Sequence, residues 1–478
     1  MKVAINIRAQ FDEQQTMKVR VTAHLWAVLL LFVGSCGFLS TPTTVRPPIL
    51  PVTTTTTTAA IAGDIEMSIT GCSAPPVTFA LLCEVVDLLD SYHVDPPDHA
   101  ALAEAAIGGV RSFESTEEEA PPRGITCAVP GRDFAPFCEA VEQRMEVDLV
   151  PLRAMVESAV ASMLVGTVDP YTIYVPPELS GAVGEDGIIP GLGMVLAALT
   201  VAGSPCVRIE SPCPLQVVTV LPDGPADRAG LMAGDVINTV DGEDVSGLAV
   251  VDAAGMMSGD PGTTLMLEVD RDGAVLTIEM TRADDFVAPI TSEMVGSTGY
   301  LRLPEFGIDS HVLFHFALES LIEAGATRLV LDLRDNPGGF LFSVSLIGSE
   351  FFSTGLLYRT AGPNENLDYP AVEGGIAQFI PTITLVNGSS ASAAEILAAV
   401  LQERDRSVIV GLPTFGKNLV QVPFELHNEG QLRITISRWT TPAGASVEGT
   451  GVLPDVPLDL GPDLTVPELV DAAIAAAG

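Results

Sequence analysis

Two hydrophobic periods alternate along the chain and divide it into regions. Residues 74–180 carry apolar positions at helical spacing, as in ALLCEVVDLLDSY, HAALAEAAIGGVRSF and DLVPLRAMVESAVASML, which predicts amphipathic helices. Residues 188–283 change to short alternating runs with Gly and Asp turns around one small helix, ADRAGL, which predicts a small β-rich domain. Residues 286–460 alternate strand and helix patterns, which predicts a layered core. The predicted fold class is therefore α/β (α+β).

The elements of the layered core can be placed individually. The predicted strands are GYLRL, TRLVLDLRD, TITLVN, SVIVGL, LVQVPFEL and LRITISRWTT, and the predicted helices are HVLFHFALESLIEAG, FLFSVSLIGSEFF and SAAEILAAVLQERD. Asp309 or Ser310 is expected to cap the first of these helices, since both side chains favour the N-cap position.

The N-terminal 70 residues have the pattern of an export segment. Met17 is an alternative start, followed by a basic stretch and by an apolar run of nine residues, Leu25 to Val33, which is too short to span a bilayer as a helix. The next residues, VGSC, look like a bacterial lipobox that would lipidate Cys36. Residues 37–70 are rich in Thr and Pro and are typical of an extended linker.

Charge and cysteine content narrow the class of protein. The 478 residues contain 23 Lys and Arg against 61 Asp and Glu, a net charge of −38, which argues against a nucleic-acid-binding protein. Of seven cysteines, six remain after Cys36 is set aside, an even number that favours disulfides in an exported chain. Their local spacings suggest the pairs Cys72–Cys83, Cys127–Cys138 and Cys206–Cys213, although fifteen connectivities are possible.

No metal or cofactor is expected. There is no CxxC motif, and His311 and His315 stand four residues apart on a predicted helix without the glutamate of an HExxH motif. The sequence also has no GxSxG motif, the strand-to-helix turn that would indicate the serine of a Ser-His-Asp triad.

Lysine is rare, and its position is informative. The chain has Lys2, Lys18 and Lys417, so removal of the N-terminal segment would leave Lys417 alone. One interpretation is a surface lysine retained by chance. The other is that this position requires an amine that can lose its proton, which Arg cannot do.

The predicted elements bring Lys417 towards a serine. The helix over 392–405 runs roughly 21 Å away from the loop that carries Ser392, and the strand over 407–413 returns roughly 23 Å. Because the two lengths cancel, Lys417 is expected near Ser392. Ser392 would then be a nucleophile at a helix N-terminus, with Lys417 as its base if burial lowers the lysine pKa.

Other residues around this pair have candidate roles. Gln421 could orient the amine, and the amide of Ala393 with Gly338 or Gly339 of the NPGG turn could form an oxyanion hole. The alternatives are a plain N-cap for Ser392, an ordinary turn at NPGG, and a polar sheet residue at Gln421. Composition also leaves Ser389 and Ser390 open as nucleophiles.

The β-rich region resembles a PDZ domain. The stretch from Pro225 to Gly242 has the pattern A-x-x-A-G-L-x-x-G-D-x-I-x-x-x-x-G, which is typical of bacterial PDZ modules. An unrelated small β-barrel is the alternative. The turn of Gly191, Leu192, Gly193 and Met194 would then expose backbone N–H groups to the terminal carboxylate of a peptide.

The chain from about residue 75 to 460 resembles the carboxyl-terminal processing (tail-specific) serine proteases. The motifs, in order, are VDPYTIYVPPE, GYLRLPEF, LDLRDNPGG, NGSSASAAEI, VIVG, PTFGKNLVQ and TPAGASVEGTGVLPD, with Lys417 25 positions after Ser392. The resemblance implies that Ser392 is the nucleophile, Lys417 the general base and Gln421 its orienting partner, with Ala393 and a glycine of the NPGG turn as the oxyanion hole. Ala394 departs from the usual serine of the family, and the stretch around Cys127 and Cys138 looks like an insertion.

The expected protein is a secreted or lipid-anchored serine endopeptidase at the outer face of the membrane. Its PDZ domain would bind apolar, unstructured C-terminal tails of protein substrates, and the remaining alternative is a catalytically silent PDZ adaptor. The predicted divisions are a signal peptide (1–36), a linker (37–70), a helical region (71–187), the PDZ domain (188–284), the catalytic core (285–460) and a C-terminal segment (461–478).

Overall fold

The computed structural model describes residues 77–114, 129, 131–147, 150–179, 188–189, 191–200, 205–206, 208–284, 288–461 and 464–478. The predicted signal segment, linker, Cys36, Cys72 and Cys127 lie outside these residues. In the described part of the chain, no helix combines the length and the apolar composition needed to cross a membrane. Cys83, Cys138 and Cys213 are each disulfide-bonded, and the pairing stays a prediction.

The N-terminal region is helical, as predicted. It contains α1 (Val77–Tyr92), α2 (His99–Ser112), α3 (Ala135–Val147) and α4 (Leu152–Leu164). Asp98 caps α2, since its Oδ1 accepts the N–H groups of Ala100 at 3.0 Å and Ala101 at 3.2 Å. The apolar faces of these helices share a core with Tyr174, Leu432 and other residues of a β-sheet described below.

The described strands of the β-rich region form an antiparallel sheet in the order β2-β3-β5-β6-β8-β9. Its strands are β2 (Ile188–Ile189), β3 (Met194–Leu199), β4 (Pro205–Cys206), β5 (Leu215–Val220), β6 (Val236–Val240), β7 (Glu243–Asp244), β8 (Thr264–Arg271) and β9 (Ala274–Thr281). The short helix α5 (Pro225–Arg228) and α6 (Val250–Met257) complete the unit. Alternation of buried and exposed positions along β8 shows one face of the sheet in the core, as its sequence pattern predicts.

The region predicted to be the catalytic core contains a six-stranded sheet in the order β10-β11-β12-β15-β16-β19. The strands are β10 (Thr291–Val295), β11 (Thr298–Arg302), β12 (Arg328–Asp332), β15 (Thr382–Val386), β16 (Ser407–Gly411) and β19 (Val456–Pro457). All pairs are parallel except β10 with β11. Helices α7 (Ser310–Glu323), α8 (Leu341–Phe351) and α9 (Ala393–Glu403) cover one face, and α10 (Val466–Ala477) covers the other. The sheet is buried on both faces, which explains its continuous apolar runs.

A second sheet of five strands joins this core to the helical region. It runs in the order β1-β18-β13-β14, with β17 also paired to β18. The strands are β1 (Ile173–Val175), β13 (Leu356–Ala361), β14 (Asn366–Pro370), β17 (Leu419–Glu425) and β18 (Gln431–Thr440). Because β17 follows the loop of Lys417 and β1 follows the helices, this sheet places the N-terminal region next to the lysine.

Two helix starts bear on the predicted elements. The C-terminal segment, for which no element was predicted, contains α10, and the Thr465 amide at its start donates to Glu468 at 2.9 Å, as in a capping box. Asp309 precedes α7 but makes no side-chain capping bond among the described residues, and the Ser310 hydroxyl donates instead to the Gly307 carbonyl at 2.9 Å.

Candidate active site

Three loops meet at one edge of the six-stranded sheet. They follow β12, β15 and β16, which are adjacent and parallel, so their carboxyl ends lie together. The loop after β12 carries NPGG, the loop after β15 carries Ser392, and the loop after β16 carries Lys417. The predicted convergence of these three motifs is therefore a consequence of strand order.

Ser392 lies in a strained turn between strand β15 and helix α9. Its φ of 54° and ψ of −114° are rarely adopted by residues with a side chain. The turn is held from both sides, because the Ala391 amide donates to the Asn336 carbonyl at 2.9 Å and the Ser392 amide donates to Glu395 at 2.9 Å. Ser392 occupies the N-cap position, but among the described residues its hydroxyl makes no capping bond.

The neighbouring serines have structural partners. The Ser390 hydroxyl is fully buried, donates to the Leu333 carbonyl at 2.7 Å and accepts from the Asn387 amide at 3.0 Å. The Ser389 hydroxyl donates to the carbonyl of Val218, in the β-rich domain, at 2.8 Å. These bonds favour Ser392 over Ser389 and Ser390 as the reactive hydroxyl.

A buried carboxylate joins the serine turn to the lysine loop. Oε2 of Glu395 accepts the amides of both Ser392, at 2.9 Å, and Lys417, at 2.8 Å. Oε1 accepts the Gly416 amide and the Thr414 hydroxyl, each at 2.6 Å. Burial raises the pKa of Glu395, and these four donors oppose that rise. Because two amides share one oxygen atom, the backbones of Ser392 and Lys417 are neighbours.

The Lys417 amine lies in a largely buried environment. Burial lowers its pKa to about 8, against the opposing effect of the negative charges of Asp169 and Glu395. Its Nζ atom lies 4.5 Å from the centroid of the Tyr171 ring. In the described conformation the Ser392 hydroxyl and the Lys417 amine do not hydrogen-bond to each other, and such contacts often tighten only when substrate binds.

Gln421 lies opposite Thr435 in the second sheet. A register shift between Val420 and Gln421 leaves Ile436 without a partner, a bulge of the kind that re-aims side chains near active sites. The Gln421 side-chain amide donates to the Thr435 hydroxyl at 3.1 Å, and that hydroxyl donates in turn to Asp169 at 2.8 Å.

The NPGG turn approaches the serine closely. A Cβ on Gly338 would lie 2.8 Å from the Ser392 Cβ and 3.0 Å from the Ala393 amide nitrogen, and the φ of Gly338 is 107°, so only glycine fits. The Gly338 amide donates to Oδ1 of Asn336 at 2.8 Å. The Ala393 amide opens helix α9 and has no acceptor within the helix.

The candidate peptide-binding turn of the β-rich domain differs from expectation. The amides of Leu192 and Gly193 were predicted to be exposed, yet they point to the Ile189 carbonyl at 3.2 and 3.4 Å, and the turn is buried. The physical reason is the tight connection between β2 and β3, which folds these N–H groups back onto the preceding strand. A peptide-binding role for Gly191, Leu192, Gly193 and Met194 remains a prediction.

Sequence reasoning assigned no role to Glu395, Asp169 or His93. Glu395 stands three residues after Ser392, which is the spacing of a capping box, so its contact with the Ser392 amide had a local signal. His93 and Asp169 are 76 residues apart and had none. Among the described residues, no group of three or more His, Cys, Asp or Glu is arranged to hold a metal ion.

The layered core and the β-rich domain each match a known family, and together they place the chain among the peptidases. Residues 297–458 match the model of peptidase family S41, and residues 194–281 match that of the PDZ domain.

Sequence and structural relatives agree with this class. A carboxy-terminal-processing protease of Bartonella bacilliformis is 33% identical over 312 residues, which are 63% of this chain and 69% of the relative. A carboxyl-terminal-processing protease of Picosynechococcus sp. is 32% identical over 64% of this chain and 74% of its own length. The solved structure of a photosystem II D1 C-terminal processing protease superposes with a TM-score of 0.61 at 26% identity, covering 84% of this chain and 98% of that one. The chain belongs to the carboxyl-terminal processing proteases of peptidase family S41, and the predicted PDZ domain and α+β fold are confirmed.

Glu395→Gln should destabilise the fold. The NH₂ group of the new glutamine would take the place of one carboxylate oxygen, and the two N–H or O–H groups that donate to that oxygen would lose their acceptor. The expected cost is about 2–5 kcal/mol in the free energy of unfolding. Urea unfolding measures this cost. The matched control is Glu403→Gln in the same helix, where the exposed carboxylate accepts a single amide from Ala443; an equal, small effect of both changes would refute the linking role of Glu395.

Gly338→Ala should reduce kcat/KM by more than about 100-fold, because its methyl group would displace the Ser392 turn. Gly461→Ala is the control, since no atom lies within 4 Å of the added Cβ. Peptidase assays of both variants test this expectation, and near-normal turnover by Gly338→Ala would contradict the close approach.

Proposed function

We propose that this protease works through a Ser392–Lys417 dyad. The observation that carries the proposal is the Glu395 carboxylate, which binds the amides of both residues. The low pKa of Lys417, about 8, supports it because a useful fraction of the amine is neutral near pH 8 and can accept a proton.

The proposed reaction has two stages. The neutral Lys417 amine takes the Ser392 hydroxyl proton while the serine oxygen attacks the scissile carbonyl. The resulting ammonium then gives that proton to the leaving amine, and an acyl-enzyme remains. Water, deprotonated by Lys417, attacks the ester, and the proton returns to Ser392 as the new carboxylate product leaves.

The developing oxyanion requires donors at the start of helix α9. The Ala393 amide is one candidate, since it opens the helix and benefits from the helix dipole. The second donor would come from Gly338 or Gly339. For Gly338, this role requires its N–H to exchange the Asn336 side chain for the substrate oxygen.

Gln421 is proposed to orient the amine through its carbonyl oxygen. Thr435 uses its only hydroxyl proton on Asp169, so it accepts from Gln421 and therefore faces the NH₂ group of that side chain. The carbonyl oxygen of Gln421 is then directed elsewhere and is the group that can accept from the lysine.

The substrates are proteins, and we propose that the enzyme cleaves them near apolar, unstructured C-terminal tails. The PDZ domain would bind the terminal carboxylate at Gly191–Met194, which requires the amides of Leu192 and Gly193 to exchange the Ile189 carbonyl for the ligand. The Ser389–Val218 bond connects strand β5 of the PDZ domain to the loop that carries Ser392. Export, and attachment through a lipid on Cys36, are proposed from the N-terminal sequence pattern alone.

Ser392→Ala should abolish cleavage of casein and of a substrate with an Ala-rich tail, and Lys417→Arg should lower kcat by at least about 10³-fold because a guanidinium cannot act as base.

For the unmodified protein, kcat/KM should rise with pH through about 8, since the active form of Lys417 is neutral. Cleavage rates, product masses and pH profiles check these expectations.

The control is Ser389→Ala, which should retain activity of the same order as the unmodified chain. Loss of activity in that variant alone, with Ser392→Ala still active, would assign the nucleophile to Ser389. Retained tail binding without cleavage by the unmodified chain would instead indicate a PDZ adaptor.

A further inference from the structure

A buried histidine–aspartate pair lies behind the lysine. Nε2 of His93 is 2.8 Å from Oδ2 of Asp169, and the two side chains are 3% and 11% exposed. Nδ1 of His93 is 2.6 Å from the Asp95 carbonyl oxygen and 3.2 Å from the Asp95 amide nitrogen. The Asp95 amide points its N–H at Nδ1, as it would for a neutral ring, whereas the contacts with the Asp95 carbonyl and with Asp169 are those of a ring with a proton on each nitrogen. Burial lowers the pKa of His93, but its hydrogen bonds to Asp169 and Asp95 raise it overall, which favours the imidazolium.

Asp169 is a well-satisfied carboxylate. Oδ2 accepts the Thr172 hydroxyl at 2.6 Å as well as His93. Oδ1 accepts the Thr435 hydroxyl at 2.8 Å and the amides of Tyr171 at 2.8 Å and Thr172 at 3.1 Å. These donors lower the pKa of Asp169 although burial opposes them, so the group is anionic at the pH where the lysine titrates.

This carboxylate reaches the lysine by two routes. The first is a chain of hydrogen bonds, in which Asp169 fixes the Thr435 hydroxyl and Thr435 fixes the amide of Gln421. The second is charge. The groups that act on the charge of Lys417 are Asp169 and Glu395, which favour the ammonium, and Arg433, which disfavours it.

The surroundings of His93 contain two more charges. Asp95 lies beside His93 and is itself paired with Arg438 at 2.7 Å, so its charge is already offset. Asp169 is therefore the group that links His93 to Lys417. A carboxylate without a counterion here would stabilise the ammonium and hold the base in its inactive form, and the imidazolium reduces that effect.

We propose that His93 and Asp169 are positioning residues for Lys417: the carboxylate orients Gln421 through Thr435, and the imidazolium offsets the negative charge beside the amine. The inference rests on the proposed Ser392–Lys417 dyad. It gives the N-terminal helical region a part in the chemistry, since His93 directly follows helix α1.

The test is the pH dependence of kcat and KM for two charge-changing variants. Asp169→Asn removes the negative charge but keeps an oxygen that can accept from Thr435, so the acid limb of the pH profile of kcat/KM should move to lower pH while kcat at high pH changes little. His93→Gln keeps a donor but removes the positive charge, so the acid limb should move to higher pH, by about half a unit. KM should change less than about twofold in both variants, because neither residue is placed against substrate.

The matched control is His427→Gln. His427 also bridges the helices and the second sheet through a carboxylate, with its Nδ1 atom 2.6 Å from Oε2 of Glu84, but this pair is not linked to Gln421. Its pH profile should match that of the unmodified chain.

The acid limb of the pH profile of kcat/KM should shift in opposite directions in Asp169→Asn and His93→Gln. A purely structural pair would not give opposite shifts. If Asp169→Asn and His93→Gln lose stability while their acid limbs stay at the position of the unmodified chain, the positioning role is wrong. If either fails to fold, Thr435→Val and Thr435→Ser decide: the valine should lower kcat about tenfold, and the serine, which restores the hydroxyl, should recover most of that loss. Equal kcat for both Thr435 variants would also overturn the proposal.

Ser392→Ala separates this inference from the dyad itself. Activity in Ser392→Ala would refute the dyad, whereas an inactive Ser392→Ala together with unshifted acid limbs would refute only the role of His93 and Asp169.

Discussion

The active site depends on one buried carboxylate. Glu395 accepts four hydrogen bonds, and these hold the serine turn, the lysine amide and the loop before the lysine around a single side chain. An ionised carboxylate in the interior is costly unless it is fully hydrogen-bonded, so the positions of these loops are coupled. Its location in the first turn of helix α9 adds the favourable effect of the helix dipole. The strained backbone of Ser392 persists because this arrangement over-determines it.

Three regions of the chain contribute to the active site, which lies at the carboxyl ends of the parallel strands of the six-stranded sheet. The catalytic core supplies Ser392, Lys417 and the glycine turn from the ends of parallel strands. The helical region supplies Asp169 and the ring of Tyr171, which lie beside the lysine. The PDZ domain supplies the Val218 carbonyl, at a residue that the register shift between β3 and β5 leaves without a partner. The site is therefore sensitive to the packing of regions that are far apart in sequence.

Much of this could be predicted from sequence, and the limits have physical causes. Strand and helix periods gave the layered core, and the cancelling lengths of helix and strand placed Lys417 near Ser392. Composition could not show which of Ser389, Ser390 and Ser392 is the candidate nucleophile. The distinction depends on carbonyl acceptors that are distant in sequence, Val218 for Ser389 and Leu333 for Ser390. The pairing of His93 with Asp169 is also long-range and leaves no local pattern. The engaged amides of Gly338, Leu192 and Gly193 depend on backbone geometry that residue types alone do not determine.

Lys417 is proposed to act as a base with a lowered pKa. The lysines of the chain are Lys2, Lys18 and Lys417, so a sample of the full chain labelled with ¹³C at the lysine ε-carbon gives few signals, and a Lys417→Arg sample identifies the one from Lys417. The titration is best recorded in Ser392→Ala, which prevents self-cleavage. A base with a lowered pKa should give this signal a midpoint of about 8; a midpoint at the ordinary lysine value of about 10.4 would contradict the proposed role of Lys417.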